Sequence, residues 1–230
     1  MTESLAGYVV LLTGASSGIG ADTARALVDR GAQVVLGARR EDRLTEIVAE
    51  LGADRAAARV TDVADDEDVR RLVALALERF GRLDAVFCNA GLGGGGGLLD
   101  GDRERWREIL LTNVYGVALT VNHALAPLLD SGRGHVILTS SVAGRKVSAN
   151  HMYSASKHAV EALGEGLRQQ LTGRVRVTLI APGMVETELE DWPQEVLDAK
   201  DVARVVAFCI EQPASVAINH VTMRHVEQDF

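Results

Sequence analysis

"TGASSGIG", Thr13 to Gly20, comes straight after the apolar run Tyr8–Leu12 and straight before a segment with helical periodicity. Gly14, Gly18 and Gly20 let a backbone turn sharply and come close to a pyrophosphate. A helix starting there adds unpaired N–H groups and the positive end of its dipole. With Ser16, Ser17 and Ile19, these glycines are the expected phosphate cradle. The spacing is TGxxxGxG, not G-x-G-x-x-G. No Lys-Ser/Thr pair follows, so the turn is not a Walker-type loop. A strand, a glycine turn and a helix in this order open a parallel α/β sheet with a dinucleotide at its edge.

The rest of the chain repeats the alternation. Apolar, β-rich runs recur at Gln33–Leu36, Ala56–Val60, Ala85–Cys88, His135–Thr139 and Val175–Ile180, with a weaker one at Val216–Val221. The clearest helix between them spans Asp65 to Phe80, where Val69, Leu72, Val73, Ala76, Leu77 and Phe80 fall at three- and four-residue steps. Asp65 can cap it and Gly81 can end it. Strands separated by helices require right-handed crossovers and a parallel sheet covered on both faces. About seven strands are expected, in one domain over residues 1–230. The patch "GGGGG", Gly93 to Gly97, should be a mobile loop on the ligand side of the fourth strand.

Composition narrows the function. The chain has 230 residues, 47% of them hydrophobic, with only 4% aromatic, so Val, Leu and Ala must build the core. A net charge of −8 with no basic face argues against nucleic acid. No apolar run reaches the roughly 18 residues of a membrane span, and the N-terminus lacks the basic region of a signal peptide. Cys88 and Cys209 sit in apolar stretches and read as buried free thiols. No Cys or His cluster has metal-ligand spacing, so no metal is expected. These features point to a cytoplasmic protein.

"YSASK", Tyr153 to Lys157, places a phenol and an ammonium one helical turn apart on one face. An isolated tyrosine has a pKa near 10, and a neighbouring ammonium favours the phenolate. Four further motifs stand around it: "NAG" at Asn89–Gly91, "TNVYG" around Asn113, "SSVAG" at Ser140–Gly144 and "PGMVET" at Pro182–Thr187. With the glycine turn, in this order, they resemble the short-chain dehydrogenase/reductase family over essentially the whole chain.

That resemblance implies a Rossmann-type fold and a set of roles. Tyr153 is the implied acid/base at the substrate oxygen, and Lys157 lowers its pKa and holds the nicotinamide ribose. A serine before "VAG" polarises the carbonyl. Motif position selects Ser141, although the interval to Tyr153 is one residue shorter than the family's and counting back selects Ser140. Asn113 is implied to interrupt a helix and help hold a proton-relay water. Asn89, Ala90, Gly91, Asp62 and Val63 should line the adenosine side. Pro182, Gly183, Val185 and Thr187 should lie near the carboxamide, with Met184, Leu189 and Trp192 as lid candidates. His151 and Met152 are candidates to face substrate.

At the end of the second strand, "LGARRED" (Leu36 to Asp42) has no acid where NAD enzymes place one for the ribose 2′-hydroxyl. A guanidinium there pairs with a 2′-phosphate. Arg39 and Arg40 therefore point to NADP(H), with Arg39 favoured as the nearer to the strand. The expected activity is hydride transfer between NADP(H) and a small carbonyl/alcohol pair, such as ketone reduction. The alternatives are a catalytically silent NADP-binding sensor or scaffold, or an isomerase- or dehydratase-type relative. The tail resembles a branch of NADP-dependent 3-hydroxy acid dehydrogenases and clavulaldehyde reductase-like enzymes. That branch usually has proline where His225 follows Arg224. The family usually forms dimers or tetramers, so a homodimer or homotetramer built on the Asn and Tyr helices is expected.

Overall fold

The computed structural model describes residues 5–186 and 195–228. Its seven strands form one parallel sheet in the order β3-β2-β1-β4-β5-β6-β7. They are β1 (Val9–Thr13), β2 (Gln33–Ala38), β3 (Ala56–Val60), β4 (Ala85–Cys88), β5 (His135–Thr139), β6 (Arg176–Pro182) and β7 (His220–Met223). The helices are α1 (Gly18–Val28), α2 (Glu41–Leu51), α3 (Asp66–Phe80), α4 (Arg103–Leu110), α5 (Gly116–Asp130), α6 (His151–Gln170) and α7 (Ala199–Glu211).

The sheet is buried on both faces, which is why its strands read as near-continuous apolar runs. One face packs against α1, α2 and α7 through side chains such as Leu27, Ile47 and Val206. The other packs against α3, α5 and α6 through Leu72, Val121 and Val160. Phe87 is the largest fully buried side chain, and aliphatic residues supply nearly everything else. Cys88 and Cys209 are both buried free thiols.

Helix α3 has the ends its sequence implies. The Asp65 carboxylate accepts from the Asp68 amide at 2.9 Å, and Gly81 closes the helix at φ 74°. The last strand differs from expectation. Val216 donates its amide to Pro213 in a turn, and β7 starts only at His220, which pairs with Leu179. The partner strand sets this register, and the local pattern does not carry it.

The order reverses between β2 and β4, on either side of β1. Open α/β sheets bind ligands in the crevice at such a switch point, beyond the carboxyl ends of the strands. Helices α4 and α5 are joined by a π-helical turn, Leu111–Tyr115. Together they make a 28-residue helix, Arg103–Asp130, long and apolar enough on paper to cross a membrane. Ile109, Val117, Val121 and Leu128 of this helix are nevertheless buried in the protein.

Candidate active site

A cavity of about 600 Å³ opens at the switch point. At its floor Gly14 adopts φ 63°, and a Cβ there would lie 2.7 Å from the Ala90 Cα. A Cβ on Gly20 would collide with the Gly14 carbonyl oxygen. The glycines are therefore required by backbone packing as well as by φ. Helix α1 begins at Gly18 after Ser17. The amides of Gly18, Ile19 and Gly20 thus fall in the first turn, where no intrahelical carbonyl reaches them. Ser16, Ser17, Gly18 and Ile19 line the cavity, while Gly20 packs beneath the turn. This cradle fits a dinucleotide pyrophosphate.

Arg39 and Arg40 both line the same end. The Arg40 guanidinium reaches back to the glycine turn, donating to the Ser17 Oγ at 2.6 Å and to the Ser16 Oγ at 3.2 Å. The tie to the turn is thus made by Arg40, not by the arginine nearer the strand. Asp62 and Val63 also line the cavity, just after β3, where the Thr61 amide donates to the Ala38 carbonyl at 2.9 Å. Asp62 closes an Asx turn by accepting from the Ala64 amide at 3.0 Å, and Val63 is buried beneath Gly116.

Asn89, Ala90 and Gly91 complete the wall. Thr13 Oγ1 accepts from the amides of Asn89 and Ala90 at 3.1 and 3.2 Å. The Asn89 carboxamide donates to the Gly14 carbonyl at 3.3 Å and accepts from Thr139 Oγ1 at 3.2 Å. Asn89 thereby fastens the ends of β1, β4 and β5 together, so it acts on the cavity mainly through the shape of this loop.

At the other end Tyr153 lies in the first turn of α6, and Lys157 follows one turn later. Both line the cavity. The Lys157 Nζ stands 5.7 Å from the centroid of the Tyr153 ring and donates to the Thr139 carbonyl at 2.8 Å. Burial pushes the ammonium down to about 8, while Glu161, one turn further on, pulls it up. Gly91 lies beside it: a Cβ on Gly91 would be in ordinary contact, 3.7 Å from the Lys157 Nζ.

The two serines occupy different environments. Ser141 Oγ accepts from the Ala143 amide at 3.1 Å, at the start of a single 3-10 turn, Val142–Gly144. Ser140 Oγ is sealed from solvent and has no partner among the described residues. It points at Gly144, where a Cβ would sit 2.8 Å from it and 3.0 Å from the Lys157 carbonyl. Both residues border the cavity, but the Ser140 hydroxyl is turned beneath the 3-10 turn.

Asn113 lies behind the cavity, not in its wall. It occupies the π-helical turn, where a wide turn frees backbone groups and often marks a functional site. Its Oδ1 accepts from the Leu92 amide at 2.8 Å, and its Nδ2 donates to the Leu92 carbonyl at 2.9 Å and to Ser156 Oγ at 3.0 Å. Ser156 in turn donates to the Tyr153 carbonyl at 2.7 Å. Asn113 is thus linked through Ser156 to the helix that carries Tyr153 and Lys157.

Pro182, Gly183, Met184 and Val185 line the cavity, while Thr187, Leu189 and Trp192 lie outside the described residues. His151 is exposed and faces the glycine loop, its Cε1 3.8 Å from where a Cβ on Gly97 would be. Neither His151 nor Met152 borders the cavity. The glycine loop is tied down. The Gly93 carbonyl accepts from Arg105 Nε at 3.0 Å, and the Gly95 carbonyl from Trp106 Nε1 at 2.6 Å. Among the described residues no group of three or more His, Cys, Asp or Glu could hold a metal.

Gln228 went unread in the sequence. Its Oε1 accepts from the Met184 amide at 3.0 Å, so the tail clamps the segment after β6. Only a distant fold contact brings it there, and no local pattern signals it.

The family model for short chain dehydrogenase matches residues 8–196. An uncharacterized oxidoreductase of Staphylococcus saprophyticus is 39% identical over 228 residues, covering 95% of this chain and 97% of the relative. The alcohol dehydrogenase of Thermococcus sibiricus, solved with 5-hydroxy-NADP, superposes with a TM-score of 0.90 at 30% identity, over 96% of this chain and 98% of that one. A short chain dehydrogenase/reductase of Burkholderia phymatum, solved with NAD, superposes with a TM-score of 0.87 at 29% identity, over 96% of this chain and 90% of that one.

Proposed function

Since the chain belongs to the short-chain dehydrogenase/reductase family of oxidoreductases, we propose that it reduces or forms a small carbonyl compound with NADP(H). The carrying observation is one cavity with the glycine cradle and Arg40 at one end and Tyr153 above a buried Lys157 at the other. The amides of Gly18 to Gly20 hold the pyrophosphate, and Arg39 and Arg40 face the 2′-phosphate. Asp62, Val63 and the Asn89–Gly91 loop border the adenosine. Pro182, Gly183 and Val185 close the nicotinamide end.

The bound cofactor supplies or accepts hydride at the substrate carbon. Tyr153 gives the proton to the substrate oxygen in reduction and takes it back in oxidation. Lys157, held against the Thr139 carbonyl, presents a positive charge beneath the ring that favours the phenolate. Ser141 Oγ stabilises charge growing on the oxygen. Asn113, through Ser156, fixes the turn of α6 that carries Tyr153. The protein works as a homodimer or homotetramer in the cytoplasm.

The test is NADPH absorbance over a panel of aldehydes and ketones. Turnover is expected with at least one, and Tyr153→Phe should lower it by roughly 10²–10⁴-fold, the scale of a lost general acid/base. NADPH binding to the variant should stay close to wild type. Near-wild-type turnover by Tyr153→Phe would remove the mechanism.

A further inference from the structure

A second cavity, of about 520 Å³, shares two walls with the catalytic one: Val142, next to Ser141, and Gln228. Its other walls include Arg145, Thr222, Arg224 and His225. Among the described residues that line it, three are Arg or His and none is Asp or Glu, in a chain whose net charge is −8. The described part of its lining is therefore basic, opposite in sign to the chain as a whole. Two segments far apart in sequence build it. Arg145 leaves the 3-10 turn after Ser141, and Arg224 and His225 leave the end of β7.

The individual groups suit an anion. The Arg145 side chain makes no ion pair or hydrogen bond among the described residues. His225 Nδ1 accepts from the Glu227 amide at 3.3 Å. In the neutral ring the proton is then on Nε2, so the imidazole offers a donor whether or not it is charged. Thr222 adds a hydroxyl. Arg224 donates to the Gln228 carbonyl at 3.4 Å, and its Cγ lies 2.9 Å from where a Cβ on Gly183 would be. Arg224 and Gln228 thus connect this cavity to the Gly183–Met184 segment that lines the catalytic one.

We propose that this cavity is an anion-binding subsite for a carboxylate or phosphate group, carried by the far end of the substrate or by a free anion. Guanidinium groups pair with the oxygens of either, in bidentate fashion where the geometry allows. The substrate source rests on the oxidoreductase reading above, and the free-anion source does not.

The first arm uses inorganic phosphate and needs no turnover. The full chain carrying Arg39→Ala and Arg40→Ala, which removes the arginines at the dinucleotide end, is titrated against chloride at matched ionic strength. Thermal unfolding is followed. A saturable rise in Tm is expected, and Arg145→Ala should weaken the apparent affinity by about 10- to 100-fold, the scale of one charge-assisted contact. The second arm compares an oxo acid with its methyl ester in the wild-type enzyme and in Arg145→Ala. A substrate source predicts that Arg145→Ala raises KM for the acid about tenfold or more and leaves that for the ester nearly unchanged. A response that Arg145→Ala weakens, in either arm, supports the subsite and names its source, whereas a phosphate response that Arg145→Ala leaves unchanged belongs to the glycine cradle and counts against it. If phosphate has no saturable effect and the acid and ester respond alike, the proposal is overturned. An enzyme that turns over neither acid nor ester but still binds phosphate through Arg145 keeps the subsite and loses only the substrate reading.

Discussion

Ser140 and Ser141 are adjacent, yet only one hydroxyl is placed to act. Ser140 Oγ is buried without a partner under the 3-10 turn, and Ser141 Oγ stands at that turn's start. Neighbouring extended residues point to opposite sides, which is why both cannot serve the same oxygen. Ser141→Ala should lower turnover by about 10²–10³-fold, the cost of one oxyanion donor. Ser140→Ala should stay within several-fold of wild type, because it removes a hydroxyl that has no bond to lose. The reverse ranking in steady-state kinetics would show that the shortened interval to Tyr153 has shifted the register. The two arginines separate in the same way. Arg40 is tied to Ser16 and Ser17, and Arg39 only borders the cavity. Arg40→Ala should reduce the preference for NADPH over NADH by roughly 10- to 150-fold, one arginine–phosphate contact, and Arg39→Ala by less. Equal use of both cofactors by the wild type would refute the assignment.

At the scale of elements, the start of α1 and the start of α6 hold the two ends of the cavity. The first depends on Gly20, which lets the helix lie against the Gly14 carbonyl. Gly20→Ala cannot relieve its clash by rotating a side chain, so the backbone of the turn must move. We expect a loss of about 1–3 kcal/mol in chemical denaturation, typical of overpacking, and at least tenfold weaker dinucleotide binding. Unchanged affinity would mean that the cradle does not hold the pyrophosphate. The second depends on the π-helical turn. It points Asn113 at both Leu92 and Ser156, and so joins the loop after β4 to the helix that carries Tyr153 and Lys157.

Across the whole molecule, buried charge and buried imidazole set the response to pH. Burial would raise the Asp84 carboxyl, but hydrogen bonds from Arg82, Arg133 and the Val9 amide hold it below the usual range. That contribution is present above about pH 4 and fades as pH falls through the lowered value. His135 acts earlier. Burial, reinforced by Arg176, pushes its imidazole well below 6.5. Thr178 Oγ1 donates to the Ile218 carbonyl and therefore accepts from His135 Nε2, while Nδ1 has no partner. The unfolded chain then binds a proton that the native one refuses, so stability is fully present above about pH 6.5 and declines below it. The denaturation midpoint should hold between pH 8 and 7 and drop between 6.5 and 5. His135→Gln should be less stable at pH 7 but should show a shallower drop. An equally steep drop in the variant would assign the effect elsewhere.

Sequence alone determined the features that neighbours along the chain create. The alternation of strands and helices, the glycine turn, the caps of α3 and the one-turn spacing of Tyr153 and Lys157 all follow from local periodicity and backbone sterics. Tertiary structure decided whatever depends on segments far apart. The partner strand, not the apolar run at Val216, set where β7 begins. Packing of the 3-10 turn on α6 determined which serine is sealed. The reach of Arg40 over the glycine turn, the bond from Asn113 to Ser156, the clamp of Gln228 on Met184 and the basic second cavity all join residues with no shared local pattern. Local sequence cannot encode them, because a side chain's partner across the fold exists only once the sheet has brought the two together.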